Sequence, residues 1–471
     1  MKFTLYKRLI LYRTLFGLLV LAAVFYAGSY YHSVKNKPDL HRLYMQSMEV
    51  EDQPPVVFIH GVLGSKLRDR NTGEELWPGS YRRILFSNYS DVALEIDPET
   101  LEPKPDRLEA YEVCDNAVGQ DFYGRIIRIL GEVGGYQLTR PGQVPDKTKK
   151  NYYVFVYDWR QDNVVTARKL ADFIDQIRVD YTDPDLKVDI VAHSMGGLIT
   201  RYYVRYGRED VLNSNEFPVN MYGGDRVRRI ILLGTPNLGS VVILRLFITG
   251  VQLGTREKIH TETLATMPSL FQLFPHPLNN WIIKSDGKPL ERDLFSARLW
   301  RRFQWSIFDP RVRDRIRSGF TDQQAAEDYL QLMEAFFEKS LERARRFVWS
   351  LTVPLPEDHP KLIVFGGTCS LTSARVLVEE VEGESVIRIS PEDITQPVPG
   401  VDYDILLMEP GDGSVTKASL LGRDVLDPSI PRHKYSFFPL DHTFLLCEKH
   451  DSLTGNINFQ DNLLNELFSR D

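Results

Sequence analysis

The residues best suited to covalent chemistry lie in the sequence Ala-His-Ser-Met-Gly at residues 192–196. A serine hydroxyl becomes a nucleophile when it projects into a site where a base can take its proton. A short apolar run at residues 188–191 precedes Ser194, and a helical pattern at residues 198–206 follows it. A serine at the apex of a strand–turn–helix, with small residues two positions to either side, is typical of a nucleophile elbow. The pattern therefore predicts Ser194 as a nucleophile; the alternative is an unreactive serine in an ordinary βα turn.

A serine nucleophile needs a histidine base and a carboxylate that orients it. In sheets of this type the chain order is serine, acid, histidine. Asp412 stands between two glycines in a loop after a short strand, and Asp441 is a weaker candidate for the acid. The histidines after Asp412 are His433, His442 and His450. We favour His442 because it follows the last expected strand and precedes an apolar run that resembles a helix, whereas His433 begins a strand and His450 follows a charged pair.

The negative charge that develops in acyl transfer needs backbone N–H donors. The first core strand, residues 56–60, ends in a glycine-containing turn well before Ser194, where serine hydrolases of this shape place one donor. We expect that donor to be the N–H of Val62, with Leu63 less favoured, and the second to be the N–H of Met195 at the start of the following helix. A plain βα turn is the alternative for the first of these.

Composition excludes several classes of function. The chain has 471 residues, 43% of them hydrophobic, a formal net charge of -7 and no long basic block, so nucleic acid is not an expected partner. Three cysteines, Cys114, Cys369 and Cys447, form no close pair. No metal site or cofactor is predicted. We expect three unpaired cysteines rather than one disulfide and one free thiol. The sequence does not indicate the oligomeric state.

The sequence of the N-terminus predicts a membrane location. Four Lys and Arg residues within residues 2–13 precede a stretch without Lys, Arg, Asp or Glu from Thr14 to Val34. As a helix this stretch would span roughly 32 Å, about one bilayer core. We favour an uncleaved signal anchor that leaves the remainder of the chain outside the cytoplasm. The alternative is a signal peptide cut after the small residues 27–29, which would give a secreted or periplasmic protein.

Alternating strand and helix patterns predict an α/β fold with a mostly parallel sheet. The Leu-, Phe- and Trp-containing stretch in the second half predicts a largely helical cap over the carboxyl edge of the sheet, where ligands bind in open α/β sheets. The expected divisions are an N-terminal anchor or signal peptide (1–37), a linker (38–54), the first part of the core (55–240, with an excursion at 66–150), the cap (241–360) and the second part of the core (361–471).

Four motifs together resemble the lecithin:cholesterol acyltransferase-like family. They are Val-Phe-Ile-His-Gly-Val-Leu-Gly-Ser at 57–65, Tyr-Asp-Trp-Arg at 157–160, Ala-His-Ser-Met-Gly-Gly at 192–197 and Gly-Asp-Gly-Ser-Val at 411–415. The resemblance implies an α/β-hydrolase fold with a cap, glycerolipid substrates, a triad of Ser194, Asp412 and His442, and oxyanion donors at Val62 and Met195. The chain departs from the family where His60 stands in place of the usual Pro.

The expected function is therefore that of a serine-dependent lipid acyl hydrolase or O-acyltransferase that works through an acyl-enzyme on glycerophospholipid or other glycerolipid esters. Hydrolase and transferase share every catalytic residue, so the sequence leaves water and alcohol open as acyl acceptors. The competing hypothesis is a non-catalytic protein of the same fold that binds lipid or a partner.

Overall fold

The strands build one large sheet and several small ones. A computed structural model describes residues 14–29, 53–114, 116–117, 120–121, 123–253, 256–422 and 438–469. The strands are β1 (Val56–Ile59), β2 (Ser65–Asp69), β3 (Glu75–Trp77), β4 (Leu108–Val113), β5 (Asn116–Ala117), β6 (Gln120–Asp121), β7 (Gln137–Leu138), β8 (Asn151–Phe155), β9 (Val188–His193), β10 (Val227–Leu233), β11 (Val251–Leu253), β12 (Arg256–Ile259), β13 (Ile282–Lys284), β14 (Lys361–Gly367), β15 (Ser370–Ser373), β16 (Val376–Val381), β17 (Glu384–Arg388), β18 (Met408–Gly411) and β19 (His442–Leu446).

The large sheet has the strand order β19-β14-β10-β9-β1-β8-β7. Every neighbouring pair in it is parallel. The central strands β1 and β9 are buried along their whole length, as expected for a parallel sheet covered on both faces. Because parallel strands end at the same edge, the loops after β1, β9, β10, β14 and β19 all emerge on one side of the molecule. The predicted α/β architecture with a parallel sheet is confirmed.

Helices cover the sheet and connect its strands. They are α1 (residues 14–29), α2 (Tyr81–Phe86), α3 (Gly124–Arg128), α4 (Asn163–Asp180), α5 (Met195–Tyr206), α6 (Val241–Thr249), α7 (Thr261–Leu264), α8 (Pro268–Phe271), α9 (Ala297–Arg302), α10 (Pro310–Ser318), α11 (Gln323–Ser350), α12 (Tyr403–Leu407), α13 (Lys417–Leu420) and α14 (Ile457–Phe468).

The chain between β10 and β14 is largely helical and docks at the carboxyl edge of the sheet. Its anchors are hydrogen bonds to the segment that follows β8. The Ser269 hydroxyl donates to the carbonyl of Trp159 at 2.6 Å, and the Gln272 side chain donates to Asp162 at 2.8 Å. Asp162 is also the N-cap of α4, where it accepts the N–H of Val164, as its residue type predicts. The insertion thus lies beside the loops that emerge after the strands.

The N-terminal helix α1 carries apolar side chains that are exposed, among them Leu19 at 67% and Phe25 at 81%. Among the described residues, no helix combines the length and the apolar character that a bilayer crossing requires. The transmembrane helix predicted from Thr14 to Val34 is therefore not supported, and residues 30–34 of it lie outside the described residues, as does most of the predicted linker.

Two cysteines form a disulfide that the sequence did not lead us to expect. Cys369 and Cys447 are bonded, with their Cα atoms 4.9 Å apart. Gly367 at the end of β14 pairs with Leu446 at the end of β19, so the chain leaves two neighbouring strands within reach of one bridge. A separation of 78 positions conceals this proximity in the sequence. The expectation of three unpaired cysteines is wrong.

Candidate active site

Ser194 lies at the tip of the turn between β9 and α5, with φ +53° and ψ -123°. A non-glycine residue rarely adopts such a conformation, and strain of this kind persists only where surrounding contacts enforce it. Here the Ser194 N–H donates to the carbonyl of Leu233 at 2.8 Å, and the Ser194 carbonyl accepts the N–H of Gly197 at 3.0 Å. The side chain of Ser194 is therefore presented at the carboxyl edge of the sheet, as an elbow requires.

The small residues two positions before and after Ser194 lie in tightly packed surroundings. A Cβ placed on Gly196 would lie 2.5 Å from the carbonyl oxygen of His60 and 2.9 Å from that of Ile59. On the other side Ala192 is fully buried within β9, where its methyl group fits. The turn after β1 is equally close, because a Cβ on Gly61 would lie 2.8 Å from the Ser194 Cβ. The glycines at positions 61 and 196 thus let the two turns approach each other.

A histidine and a carboxylate stand in line with the serine hydroxyl. The Nε2 atom of His450 lies 3.0 Å from the Ser194 Oγ, and its Nδ1 atom lies 2.8 Å from the Asp412 Oδ2. The other carboxylate oxygen of Asp412 accepts the N–H groups of Ser414 at 2.9 Å and Val415 at 2.7 Å. With Nδ1–H donated to the carboxylate, Nε2 is free to accept a proton from the serine.

Asp412 and His450 shift each other's ionisation. Burial alone would lower the pKa of His450, but the charge and the hydrogen bond of Asp412 outweigh it and raise that pKa. Burial would likewise raise the pKa of Asp412, yet the facing His450 and the two backbone N–H groups lower it. The carboxylate therefore stays ionised and favours an imidazolium at His450.

The position of His442 contradicts its predicted role. His442 is the first residue of β19 and pairs with Ile363 in the sheet, and its Nδ1 atom bonds to the Glu466 carboxylate at 2.7 Å. It lies roughly 13 Å from the carboxyl end of β19, a strand of five residues. The prediction of His442 as the base is wrong because the apolar run that follows it is a strand and not a helix.

His450 occupies the position beside Ser194 that we had assigned to His442. It follows β19, so it emerges at the same edge as Ser194. The sequence did contain a signal for His450, because the base is expected after the last strand. Had residues 442–446 been predicted as that strand, the rule would have selected His450. Of the other candidates, Asp441 accepts the N–H of Leu362 through its carboxylate at 2.6 Å, and His433 lies outside the described residues.

The two predicted oxyanion donors belong to the turns that approach each other at Ser194. Met195 follows Ser194 as the first residue of α5 and is fully buried. Val62 follows Gly61, which touches the serine turn. Within the described part of the chain, neither the Val62 N–H nor the Met195 N–H has a backbone carbonyl as acceptor in the turns and caps. Both N–H groups remain available to an oxygen in the site, and the start of α5 adds its favourable dipole.

His60, which stands where the family usually has Pro, is part of the scaffold. Its ring stacks on Tyr157 with centroids 4.0 Å apart. Its Nδ1 lies 2.8 Å from the Gly61 carbonyl, and its Nε2 accepts the Tyr157 N–H at 3.3 Å. Burial lowers the pKa of His60 to about 4, so the ring is neutral near pH 7 and holds the turn after β1 in place. Among the described residues, no group of three or more His, Cys, Asp or Glu could hold a metal ion.

Fold and site together define an α/β-hydrolase-like protein with a Ser–His–Asp arrangement at the carboxyl edge of a parallel sheet. The chain belongs to the lecithin:cholesterol acyltransferase family. The model of that family matches residues 138–419, which are more than half of this chain. The match includes Ser194 and Asp412 and ends before His450.

Among the solved structures that resemble this chain, one is similar enough to support the fold. The crystal structure of the Tle4–Tli4 complex has a TM-score of 0.57 at 14% identity, covering 89% of this chain and 98% of that chain. Lipase 1 from Pelosinus fermentans has a TM-score of 0.37 at 14% identity, covering 89% and 100%. The Staphylococcus hyicus lipase has a TM-score of 0.34 at 15% identity, covering 88% and 96%. At these identities the first likeness concerns the fold alone, and the low scores of the other two add no weight to it.

Proposed function

We propose that the protein is a serine-dependent lipid acyl hydrolase or O-acyltransferase, with Ser194 as nucleophile, His450 as base and Asp412 as the orienting carboxylate. The observation that carries the proposal is the continuous line of contacts, 3.0 Å from Ser194 Oγ to His450 Nε2 and 2.8 Å from His450 Nδ1 to Asp412 Oδ2. Three residues from three separate loops meet in the order that acyl transfer needs.

The reaction has two halves. The Ser194 Oγ attacks the ester carbonyl carbon while its proton passes to His450 Nε2. The resulting oxyanion accepts hydrogen bonds from the N–H groups of Val62 and Met195, each worth roughly 2.7–4 kcal/mol in the transition state. When the intermediate collapses, the C–O bond to the alcohol breaks, and His450 returns the proton to the leaving oxygen. An acyl-enzyme on Ser194 remains.

The acyl-enzyme is resolved by an acceptor hydroxyl. His450 removes a proton from water or from an alcohol, and that oxygen attacks the acyl carbon. In the second collapse the bond between the acyl carbon and Ser194 Oγ breaks, and His450 returns the proton to Oγ. The product is a fatty acid or a new ester. Family membership supports glycerophospholipid or other glycerolipid esters as the acyl donors, and the choice of acceptor depends on water access to the acyl-enzyme.

The N-terminal segment supports a membrane location, with the catalytic domain outside the cytoplasm. This location is supported by the Lys and Arg residues that precede α1 and by the exposed apolar side chains of α1. The alternative is a secreted or periplasmic protein produced by signal cleavage. Fractionation of cells with and without a high-salt wash, followed by N-terminal sequencing of the protein, separates the two. Intact N-terminus in the membrane pellet is the result that we expect.

A fluorophosphonate probe tests the enzymatic proposal. The full-length protein in detergent micelles is treated with the probe, digested, and mapped by mass spectrometry. We expect one modified residue, Ser194, and no modification in Ser194→Ala. A wild-type protein that takes no label at Ser194 would contradict the proposal and favour a non-catalytic lipid- or partner-binding protein. Product analysis with a phospholipid, in the presence and absence of a lipid alcohol, then distinguishes hydrolase from transferase.

A further inference from the structure

A chain of buried hydrogen bonds runs behind Ser194 and joins the turn after β1 to the backbone of His450. The Gly61 N–H donates to the hydroxyl of Tyr123 at 2.9 Å. That hydroxyl lies 2.9 Å from the Nδ1 of His193. The Nε2 of His193 in turn lies 3.3 Å from the carbonyl oxygen of His450. Two residues without a role in the proposed chemistry thus connect the oxyanion turn to the base.

The groups at the two ends determine where the protons lie. A backbone N–H can only donate, so the Tyr123 oxygen accepts from Gly61 and directs its own O–H towards His193 Nδ1. A carbonyl can only accept, so His193 carries its proton on Nε2 and donates it to His450. Each link therefore has one consistent direction, with His193 as the neutral Nε2–H tautomer.

Burial keeps this hydrogen-bond chain away from solvent and keeps His193 uncharged. Tyr123 is 2% exposed and His193 is 8% exposed. Burial, followed by the neighbouring His450, lowers the pKa of His193 to about 3. The rings of His193 and His450 have centroids 4.8 Å apart. A charged ring at His193 would oppose the imidazolium that forms at His450 during the reaction, and burial, which lowers the pKa of His193, prevents that.

We propose that Tyr123 and His193 are positioning residues. Through one continuous hydrogen-bond relay they hold the His60–Gly61 peptide group, next to the predicted donor at Val62, and the main chain of His450 in register with Ser194. The inference rests on the proposed function and extends it to residues that touch neither substrate nor the reacting atoms. Neither residue belongs to the serine–histidine–carboxylate line. His193 stands within the motif at residues 192–197, but the sequence assigned no role to it or to Tyr123.

The test compares Tyr123→Phe with a matched control in the same apolar cluster. Tyr136 also packs in that cluster, and its buried hydroxyl has no hydrogen-bond partner among the described residues. Tyr136→Phe therefore removes a buried hydroxyl without breaking the relay. We expect Tyr123→Phe to lower kcat about 10–100-fold with KM within about threefold of wild type, and Tyr136→Phe to leave both constants within about twofold.

Two variants of His193 cut the relay at opposite ends. In His193→Asn the side chain can still accept from Tyr123 but is too short to reach the His450 carbonyl. In His193→Gln the amide can reach that carbonyl but leaves Tyr123 without its acceptor. We expect each to lower kcat, and Tyr123→Phe combined with His193→Gln to lose less than the product of the two single losses, since both break the same link.

Thermal midpoints and the rate of fluorophosphonate labelling accompany each variant, with kinetics measured well below the midpoint. A Tyr123→Phe enzyme as fast as the Tyr136→Phe control would overturn the relay while leaving the proposed function intact. A wild-type protein that neither labels nor cleaves esters would instead remove the function itself. Should Tyr123→Phe not fold, His193→Gln carries the same comparison, and wild-type kcat in that variant would equally overturn the relay.

Discussion

The Nε2 atom of His450 lies 3.0 Å from the Oγ of Ser194, although 256 positions separate them in the chain. Ser194 follows β9 and His450 follows β19, two strands separated by β10 and β14 in the sheet. Because the strands are parallel, both residues emerge at the same edge. A glycine at position 234 leaves room for the His450 ring, since a Cβ there would lie 2.9 Å from its Nδ1.

Replacing His450 and His442 in turn tests which histidine is the base. We expect His450→Ala to lower kcat at least about 10³-fold, because among the described residues His450 is the side chain that is hydrogen-bonded to Ser194 Oγ. His442→Ala should stay within about threefold, since that ring contacts Glu466 at the opposite end of β19. Initial rates on a p-nitrophenyl ester provide the measurement, and the reverse ranking would return the base role to His442.

Changing Asp412 to Asn keeps the shape of the acid and removes its charge. A neutral Asn side chain does not stabilise the imidazolium that forms at His450, and it does not hold the Nδ1–H tautomer as the carboxylate does. We therefore expect kcat to fall about 10³–10⁴-fold. The Ser414 and Val415 N–H groups can still bond to the amide oxygen, so the thermal midpoint should change little. Activity near wild type would exclude Asp412 as the orienting residue.

The pH dependence of kcat/KM reports the protonation of His450. Asp412 raises the pKa of His450 against the effect of burial, above the ordinary 6.5. A protonated His450 cannot accept the Ser194 proton, so activity should fall as the pH drops through a pKa above 6.5. In Asp412→Asn the residual activity should persist to lower pH. An acid limb well below 6.5 in wild type would contradict this assignment.

The Cys369–Cys447 disulfide should stabilise the fold and the loop that carries His450. It closes a loop with a sequence separation of 78, for which the loss of unfolded-state entropy is worth about 2–4 kcal/mol. We expect Cys369→Ser with Cys447→Ser to lower the urea midpoint accordingly, and kcat to fall because His450 stands three positions after Cys447. Urea unfolding of wild type with and without dithiothreitol checks the first effect independently of mutation.

Gly196 should not tolerate a side chain, whereas Gly131, which also lies in a helical turn, should tolerate one. A methyl group at Gly196 would press on the carbonyl oxygen of His60, so Gly196→Ala should destabilise the protein by about 1–3 kcal/mol and displace Ser194. At Gly131 the nearest atom to an added Cβ is 3.9 Å away, so Gly131→Ala serves as the control, with stability unchanged or raised. Equal unfolding midpoints for the two variants would contradict the close packing of the elbow.

Local patterns made most of the architecture predictable. A run of apolar β-branched residues before Ser194 and a helical pattern after it are properties of a short window, and β9 and α5 lie where that window indicated. The glycine-flanked Asp412 was also readable, since it follows β18 directly. At residues 443–446 the same method failed, because a short apolar run fits a strand or a helix equally well and only pairing with β14 decides between them.

The amino-acid sequence by itself determined the α/β class, the strand–turn–helix that presents Ser194, the turn that carries Val62 and the likeness to a lipid acyltransferase family. Each of these depends on residues close together in the chain. Only the tertiary structure decided that His450 rather than His442 faces Ser194, that Cys369 bonds to Cys447, and that Tyr123 and His193 link the turn after β1 to the backbone of His450. Those are contacts between loops brought together by the order and direction of the strands, and no local pattern records that order.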